Sequence, residues 1–394
     1  MNAVTILVAN IGSTSFKYRL FDMRGPGSAV RAQGRVERIG EPGGCPDYGT
    51  ALEACLAAIA GEGKPLASLA ALNAIAFKAV HAGPLSGARL VDEQVLAAME
   101  EFSFLAPAHN PPYLAAMRAF RQAMPGLPLV AVFETAFFDS LDEAALTYAV
   151  PYAWKVEDGV RRYGFHGASH GAASEGAQRI LGRGDLRHIS CHLGGSSSVA
   201  AIRNGAAVDT SFGISPQSGL PQSKRTGDLD VFAALYVMRK RGLGVEAMAR
   251  VLACESGLAG IAGGTGDVRD LTEAAARGDG HARLALDVFV RSVRHYLGAF
   301  LVALGGVDVV TFSGGIGENS PEVRAEVCAG LGAFGNELDP ERNRTVGGEG
   351  RISADGSPAA VLVLPADEEM VVARAAATAL GRVASPATAT APSR

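Results

Sequence analysis

The sequence predicts an α/β protein of two domains with a cleft between them. Strands alternate with helices through both halves of the chain. A short strand–loop–strand unit with a small polar loop occurs near residue 10 and again near residue 195, which suggests an internal duplication. The chain has 394 residues, 48% of them hydrophobic and 19% charged, ample for two to three domains with real cores.

Taken in order, Thr5–Ala9 reads as a short apolar strand, followed by the loop Asn10–Ser15 and an alternating strand over Phe16–Phe21. That spacing is a hairpin, not the strand-to-helix passage of a dinucleotide or P-loop site. Glu93–Phe102 and Pro112–Met124 read as amphipathic helices. His188–His192 is strand-like, Leu193–Ser198 is a glycine-serine loop, and Val199–Ile202 resumes the strand before a turn at Asn204-Gly205. Asp230–Arg241 reads as a helix with apolar residues at 231, 234, 235 and 238. His281–Leu304 reads as a long amphipathic helix with Leu284, Val288, Val293, Leu297, Leu301 and Leu304 on or near one face. It feeds a strand over Val307–Phe312, a loop over Ser313–Ser320, and a helix beginning near Pro321, where proline suits the first turn. Residues 384–394, rich in Ala, Ser, Thr and Pro, read as a disordered tail.

Composition excludes several classes. Thirty-six Lys plus Arg against forty Asp plus Glu give a net charge of −4, so neither a nucleic acid nor a membrane surface is an expected partner. No apolar run suits a membrane span, and no basic segment precedes the first apolar run, so a cytoplasmic protein is expected. Five cysteines at 45, 55, 191, 254 and 328 lack C-x-x-C spacing and read as reduced thiols. Forty-nine glycines point to many turns or close ligand approaches.

Three segments can carry chemistry. Asn10-Ile11-Gly12-Ser13-Thr14-Ser15-Phe16-Lys17 offers hydroxyls, backbone N–H groups and a positive charge to phosphate oxygens, or is an ordinary hairpin loop with a surface lysine. Ser313-Gly314-Gly315-Ile316-Gly317-Glu318-Asn319 lies between a strand and a helix, where three glycines would let an anion or a nucleoside edge approach the backbone. Tyr163-Gly164-Phe165-His166-Gly167-Ala168-Ser169-His170 sets two imidazoles four residues apart. Without an H-E-x-x-H glutamate, and with glycines favouring a bend, His166 suits charge stabilisation better than zinc. His81 and His109 read as structural.

Read together, these segments resemble the acetate kinases from residue 4 to about residue 382. The motifs are N-x-G-S-T-S-x-K at 10–17, V-H-x-G at 80–83, L-A-P-x-H-N-P at 105–111, Y-G-F-H-G-x-S-H at 163–170 and C-H-L-G at 191–194. G-D-x-R-D-L at 266–271, G-G-I-G-E-N at 314–319 and P-x-x-E-E at 365–369 complete the order. The resemblance implies two duplicated ribonuclease-H-like (actin-like ATPase) domains with an interdomain cleft. The first domain would span 1–136 plus 368–383 and the second, nucleotide-binding and dimerising, 137–367. It also implies a homodimer, and reversible phosphoryl transfer between ATP/ADP and acetate/acetyl phosphate with Mg²⁺, or Mn²⁺ in its place.

By the family pattern, Asn10 and Glu368 would place the metal, while Ser13, Ser15 and Lys17 would face the phosphates. Glu134, His166 and Arg225 would be catalytic. His192, Leu193, Gly194, Gly195 and Ser196 would touch the nucleotide phosphates. Asp267, Val268, Arg269, Gly315, Ile316, Gly317, Glu318 and Asn319 would hold the adenosine. Lys78, Val80, Ala108, Phe165 and Pro216 would meet the small acid.

Several positions depart from that pattern. Lys78 stands where the family usually has arginine, which predicts weaker orientation of the substrate because lysine lacks the planar fork. Glu134 replaces the usual aspartate and is one methylene longer. The usual H-L-G-N-G reads His192-Leu193-Gly194-Gly195-Ser196, and Gln222-Ser223-Lys224 before Arg225 is also unusual. Ala108 replaces a leucine and would enlarge the acyl pocket. Three functions follow: an acetate kinase, a kinase for propionate or another short acid, or a non-catalytic nucleotide-binding relative. The small residues Gly314-Gly315-Ile316-Gly317 predict use of a nucleotide, not the pyrophosphate of a family variant.

Overall fold

The computed structural model describes residues 4–12, 14–24 and 28–381. Ser13 and the expected tail at 384–394 lie outside the described residues. Contacts divide the chain into two units, Met1–Ala136 with Asp367–Arg394, and Phe137–Ala366.

Each unit is built on one six-stranded sheet among the described residues. In the first, β1 (Val4–Ile11), β2 (Ser15–Met23) and β3 (Ala29–Glu37) form an antiparallel run. β4 (Ala74–Ala79) and β6 (Leu129–Phe133) then add parallel to β1, and β5 (Gly87–Leu90) closes the edge antiparallel to β6. The second sheet repeats this scheme strand for strand. β7 (Arg187–Leu193), β8 (Ser197–Arg203) and β9 (Ala206–Thr210) are antiparallel, β10 (Val309–Ser313) and β12 (Ala360–Val363) are parallel, and β11 (Gly350–Arg351) is the antiparallel edge. The two hairpins read from sequence are therefore equivalent positions of a duplicated topology.

Alternation explains the layers. Leu7 and Ala9 face one side of the first sheet and pack with the helices Tyr48–Ile59 and Asn110–Ala123. Ile6 and Val8 face the other side and meet Val372, Ala373, Ala376 and Ala377 of the helix Glu368–Ala379. β1 is buried on both faces, so it reads as a continuous apolar run instead of an alternating one. In the second sheet Ile189, Cys191, Val310 and Phe312 pack under the helix Gly280–Leu304. Val309 and Leu362 face the helix Gly167–Leu181.

Some sequence expectations need correction. The helix Gly280–Leu304 buries Ala285, Leu286, Phe289, Val290, Val293, Leu297, Phe300 and Leu304, whereas Leu284 is exposed. The buried stripe in its first half is thus rotated by about one residue from the expected one. Ser313–Ser320 is not a loop: Gly314–Asn319 forms a short helix directly on the end of β10. The helix expected from Pro112 starts at Asn110, with proline in its first turn. The helix Val231–Arg241 forms as expected, but Val231, Phe232, Leu235 and Tyr236 are exposed instead of packed into this chain's core. The Asn204-Gly205 turn is present with both residues at positive φ, and Pro321 opens the helix Pro321–Cys328 with Ser320 as its cap.

Candidate active site

In each unit some of the candidate side chains stand at the carboxyl ends of the central strands, the usual place for ligands in an open α/β sheet. In the first unit Asn10 lies at the end of β1, Lys78 near the end of β4, and Glu134 directly after β6. Glu368 stands in the first turn of the helix Glu368–Ala379, where the helix dipole favours a carboxylate.

Lys78 is the hub of this group. Its Nζ donates to Glu368 Oε2 at 2.5 Å and lies 3.4 Å from Glu134 Oε1. All three side chains are shielded, with exposures of 13% for Lys78, 4% for Glu134 and 13% for Glu368. Burial pushes the Glu134 carboxyl above its usual range; Lys78 opposes that shift and Glu368 adds to it. The two carboxylates hold Lys78 firmly protonated despite its burial. The lysine expected to orient the substrate is thus committed to two carboxylates.

Tyr113 completes the group and was not singled out from sequence. Its hydroxyl accepts from the Ile11 backbone N–H at 3.1 Å and lies 3.4 Å from Asn10 Oδ1. Burial and the neighbouring carboxylates raise its pKa, so it stays a neutral donor. On the periodic face of its helix Tyr113 looks like one more core aromatic; only its hydroxyl's partners show otherwise.

The β1–β2 loop is short, with Gly12 N–H donating to Ser15 O and Tyr48 Oη donating to Gly12 O. A Cβ at Gly12 would come within 2.6 Å of Ser15 Oγ. Lys17, paired in register with Asn10, is exposed, and Ser15 is half-buried. Val80 is buried and Ala108 exposed. His81 is fully buried, its Nδ1 accepting from Gly83 N–H, as expected for a structural histidine.

The carboxylates and the Asn10 amide oxygen suit a hard cation such as Mg²⁺, which takes one or two protein carboxylates and completes its shell with water and substrate phosphate. One observation favours that fit: buried Glu134 Oε1 accepts no hydrogen bond among the described residues, its 3.4 Å contact with Lys78 being an ion pair. Among the described residues no set of three His, Cys, Asp or Glu side chains forms a complete metal cage.

In the second unit His166 sits at φ +59°, a left-handed conformation rare for a residue with a Cβ, immediately before the helix Gly167–Leu181. Gly164 precedes it at φ +75°, where a Cβ would strike the Phe138 ring at 2.4 Å. This strained bend sets the imidazole Nδ1 2.8 Å from Ser198 Oγ and the ring 4.3 Å from that of His192. His192 Nδ1 in turn meets Ser169 Oγ at 2.8 Å. Both ring nitrogens of His170 meet serine hydroxyls, Ser190 and Ser198, which leaves it no lone pair for a metal shared with His166. Burial and the neighbouring histidines hold His170 neutral, and burial pushes His188 down to about 3.

A cavity of about 580 Å³ opens beside these residues, lined among others by Gly194, Gly195, Gly266, Asp267, Arg269 and Gly315. The three glycines after β10 differ in their reasons. Gly314, at φ +77°, packs so closely that a Cβ would lie 2.6 Å from Leu193 O, and Gly317 rests on Phe312. Gly315 lines the cavity, and a Cβ there would meet nothing within 4 Å among the described residues. Ile316 and Asn319 also line the space, as does Val268, whose helix is capped by Asp267.

Leu193, Ser196 and Glu318, also expected at the nucleotide, are not among the residues that line this cavity. Glu318 turns its carboxylate back to accept from Gly314 N–H and Ala366 N–H, so it is a backbone brace. The Leu193 side chain belongs to the core. Ser196 points its hydroxyl at Gln222. Fully buried Arg324, missed from sequence, donates to the carbonyls of Gly317, Glu318 and Asn343 and so locks the short helix in place. Arg225 Nη1 donates to Gln222 Oε1, Ser196 Oγ and Pro216 O, and burial lowers the guanidinium's pKa. Phe165 is buried, its ring 5.6 Å from Phe212.

Comparison with known proteins adds lineage to this geometry. The family model of the acetokinase family matches residues 5–374. The chain belongs to the acetokinase family. It is 42% identical to an acetate kinase of Leifsonia xyli subsp. xyli, over 95% of this chain and 98% of the relative. Among solved structures, an acetate kinase of Porphyromonas gingivalis superposes with a TM-score of 0.85 at 36% identity, covering 96% of this chain and all of that one. A propionate kinase of Francisella tularensis superposes with a TM-score of 0.86 at 30% identity, covering 94% and 98%. The duplicated sheets are those of the family's actin-like ATPase domains.

Proposed function

We propose that this acetokinase-family chain catalyses reversible transfer of the γ-phosphoryl group of ATP to acetate, directly and in line, giving acetyl phosphate and ADP. The observation that carries the reading is the family match along residues 5–374. Acetate is already ionised at neutral pH, so no base is required, and catalysis rests on positioning and on offsetting anionic charge. Glu134 accordingly acts as a charge and metal-shell residue and not as a proton acceptor.

In this reading the glycine-lined cavity takes the nucleoside, with Gly194 and Gly195 near its phosphates. His166 and Arg225 donate to the phosphoryl oxygens as charge builds, and the Ser198 contact holds the imidazole in orientation. Lys17 and Ser15 supply further cation and donor groups. Val80, Ala108, Phe165 and Pro216 meet the acid's methyl end. Asn10, Glu134 and Glu368 would hold Mg²⁺, with Mn²⁺ as its substitute; bound there, the ion supplies charge neutralisation to the phosphates.

A second acid is favoured by one observation: Ala108 presents a single methyl where the family pattern has leucine. One methylene is worth about 1–3 kcal/mol in a pocket, so propionate is turned over too. Initial-rate kinetics with both acids test this. A propionate kcat/KM far below that of acetate, with Ala108→Leu leaving the ratio unchanged, removes the second acid.

The exposed apolar residues of the helix Val231–Arg241 support a homodimer formed through the second unit, measurable by sedimentation equilibrium with Phe232→Glu as the dissociating variant. All five cysteines are free of disulfides, which supports a reducing, cytoplasmic setting.

A further inference from the structure

Two positions that depart from the family pattern, Ser196 and Gln222, meet each other at Arg225. Gln222 is almost wholly buried, 1% exposed, an uncommon place for a glutamine unless its amide is fully used. Its Oε1 accepts from Ser196 Oγ at 2.7 Å and from Arg225 Nη1 at 3.0 Å. Its Nε2 donates to Pro216 O at 2.8 Å. Arg225 Nη1 also reaches Ser196 Oγ at 3.2 Å and Pro216 O at 3.4 Å. One guanidinium nitrogen therefore sits in a ring of three oxygens that the Gln222 amide closes.

The ring stands on a fixed backbone. Gln222 N–H donates to Arg225 O, and the Gln222 and Ser223 carbonyls accept from Leu258 and Ala259 N–H at the start of the helix Gly257–Ala262. Gly257, at φ +64°, packs so closely that a Cβ would lie 2.1 Å from Gln222 O. A side chain anchored this way can set the direction of its neighbour.

All three of these acceptors are uncharged. An aspartate or glutamate in the same place would hold the guanidinium as well but would spend its charge. An amide, a hydroxyl and a peptide carbonyl hold it while its positive charge stays available to an anion. We propose that Gln222, with Ser196, is the positioning residue for Arg225: it aims the guanidinium at the transferring phosphoryl group without neutralising it. This rests on the reading of Arg225 as a phosphoryl-stabilising residue given above.

The test is a double-mutant cycle on the full chain, with kcat, KM for acetate and ATP, and thermal unfolding for each variant. Gln222→Met is expected to lower kcat about 10- to 100-fold, with both KM values within about threefold. In an Arg225→Ala background the same substitution is expected to change kcat less than about twofold, because its target is gone. Gln222→Glu keeps an oxygen on Arg225 but adds a charge, and is expected to lower kcat at least as far as Gln222→Met. If Gln222→Met does not fold, Ser196→Ala takes its place in the cycle with the same expectation. Equal losses in the two backgrounds, or a fully active Gln222→Glu, overturn the inference. If Arg225→Ala alone leaves kcat unchanged, the role given to Arg225 fails, a result distinct from a failure of the cycle.

Discussion

Replacing Lys78 with methionine removes the cation from the two shielded carboxylates of the first unit while keeping the side chain's bulk. At 3.4 Å from Glu134 and in contact with Glu368, the ammonium offsets both charges. With an effective dielectric constant near 20, one such pair is worth about 5 kcal/mol before desolvation is counted. Removing one partner of a buried pair costs about 3–5 kcal/mol net. The folded variant relieves part of this by keeping a proton on Glu134, whose pKa burial and Glu368 already raise. Unfolded, that glutamate has its ordinary pKa and has lost the proton at neutral pH. The folded variant then binds more protons than the unfolded chain, and its stability falls as pH rises, by about 1.4 kcal/mol per unit. Chemical denaturation is therefore expected to show a loss of about 3–5 kcal/mol at pH 8 and about 2–3 kcal/mol less at pH 6. Added Mg²⁺ is expected to stabilise the variant more than the parent, since a divalent ion replaces the lost charge. A loss below about 1 kcal/mol, the same at both pH values, would show that no charged buried cluster exists there.

The remaining predictions concern other groups. Lysine is shorter in reach than arginine, and Glu134 is one methylene longer than aspartate, so the two departures compensate across the 3.4 Å contact. Lys78→Arg and Glu134→Asp are each expected to lower kcat by at least about tenfold, and the double substitution to recover most of that loss, a coupling of about 1–3 kcal/mol. Additive losses would refute the pairing. His170 and His188 are buried and neutral, with pKa values lowered by burial, so the unfolded chain binds two more protons below about pH 6.5. Their contribution is present above that pH and lost as pH falls, by about 3 kcal/mol in total at pH 5.5. His188→Gln should lower the acid slope measured by thermal unfolding across that range by about one proton, or about 1.4 kcal/mol per pH unit, and an unchanged slope would remove His188 from the account.

The sequence made the duplicated hairpins legible because a polar loop between two apolar runs has few other meanings, and both hairpins form where expected. Turn residues and proline marked Asn204-Gly205 and Pro321 for equally local reasons. Three glycines at Gly314–Asn319 suit a loop, but β10 and Arg324 impose the helix from outside the segment, and the Glu318 carboxylate braces it from within. The exposed face of the helix Val231–Arg241 was equally hidden, since periodicity reports an apolar stripe but not what covers it. At the candidate site, linear motifs single out Asn10, His166 and Glu368, and the family pattern adds Arg225. Of the side chains that meet them, Tyr113 and Ser198 come from distant segments and resemble ordinary core or loop residues until the chain is folded, whereas Gln222 is three residues from Arg225 and its amide contacts appear only in the fold.

The central claim is that an ionised carboxylate takes the phosphoryl group directly, helped by His166 and Arg225. It is tested by trapping acetyl phosphate as the hydroxamate in a mixture of acetate, ATP, Mg²⁺ and hydroxylamine, with ADP measured alongside. The parent chain is expected to form hydroxamate and ADP in equal amounts, with rates at least about a hundredfold lower in His166→Ala and Arg225→Ala. Hydroxamate no higher than in the His166→Ala control, or formed from pyrophosphate but not from ATP, would contradict it.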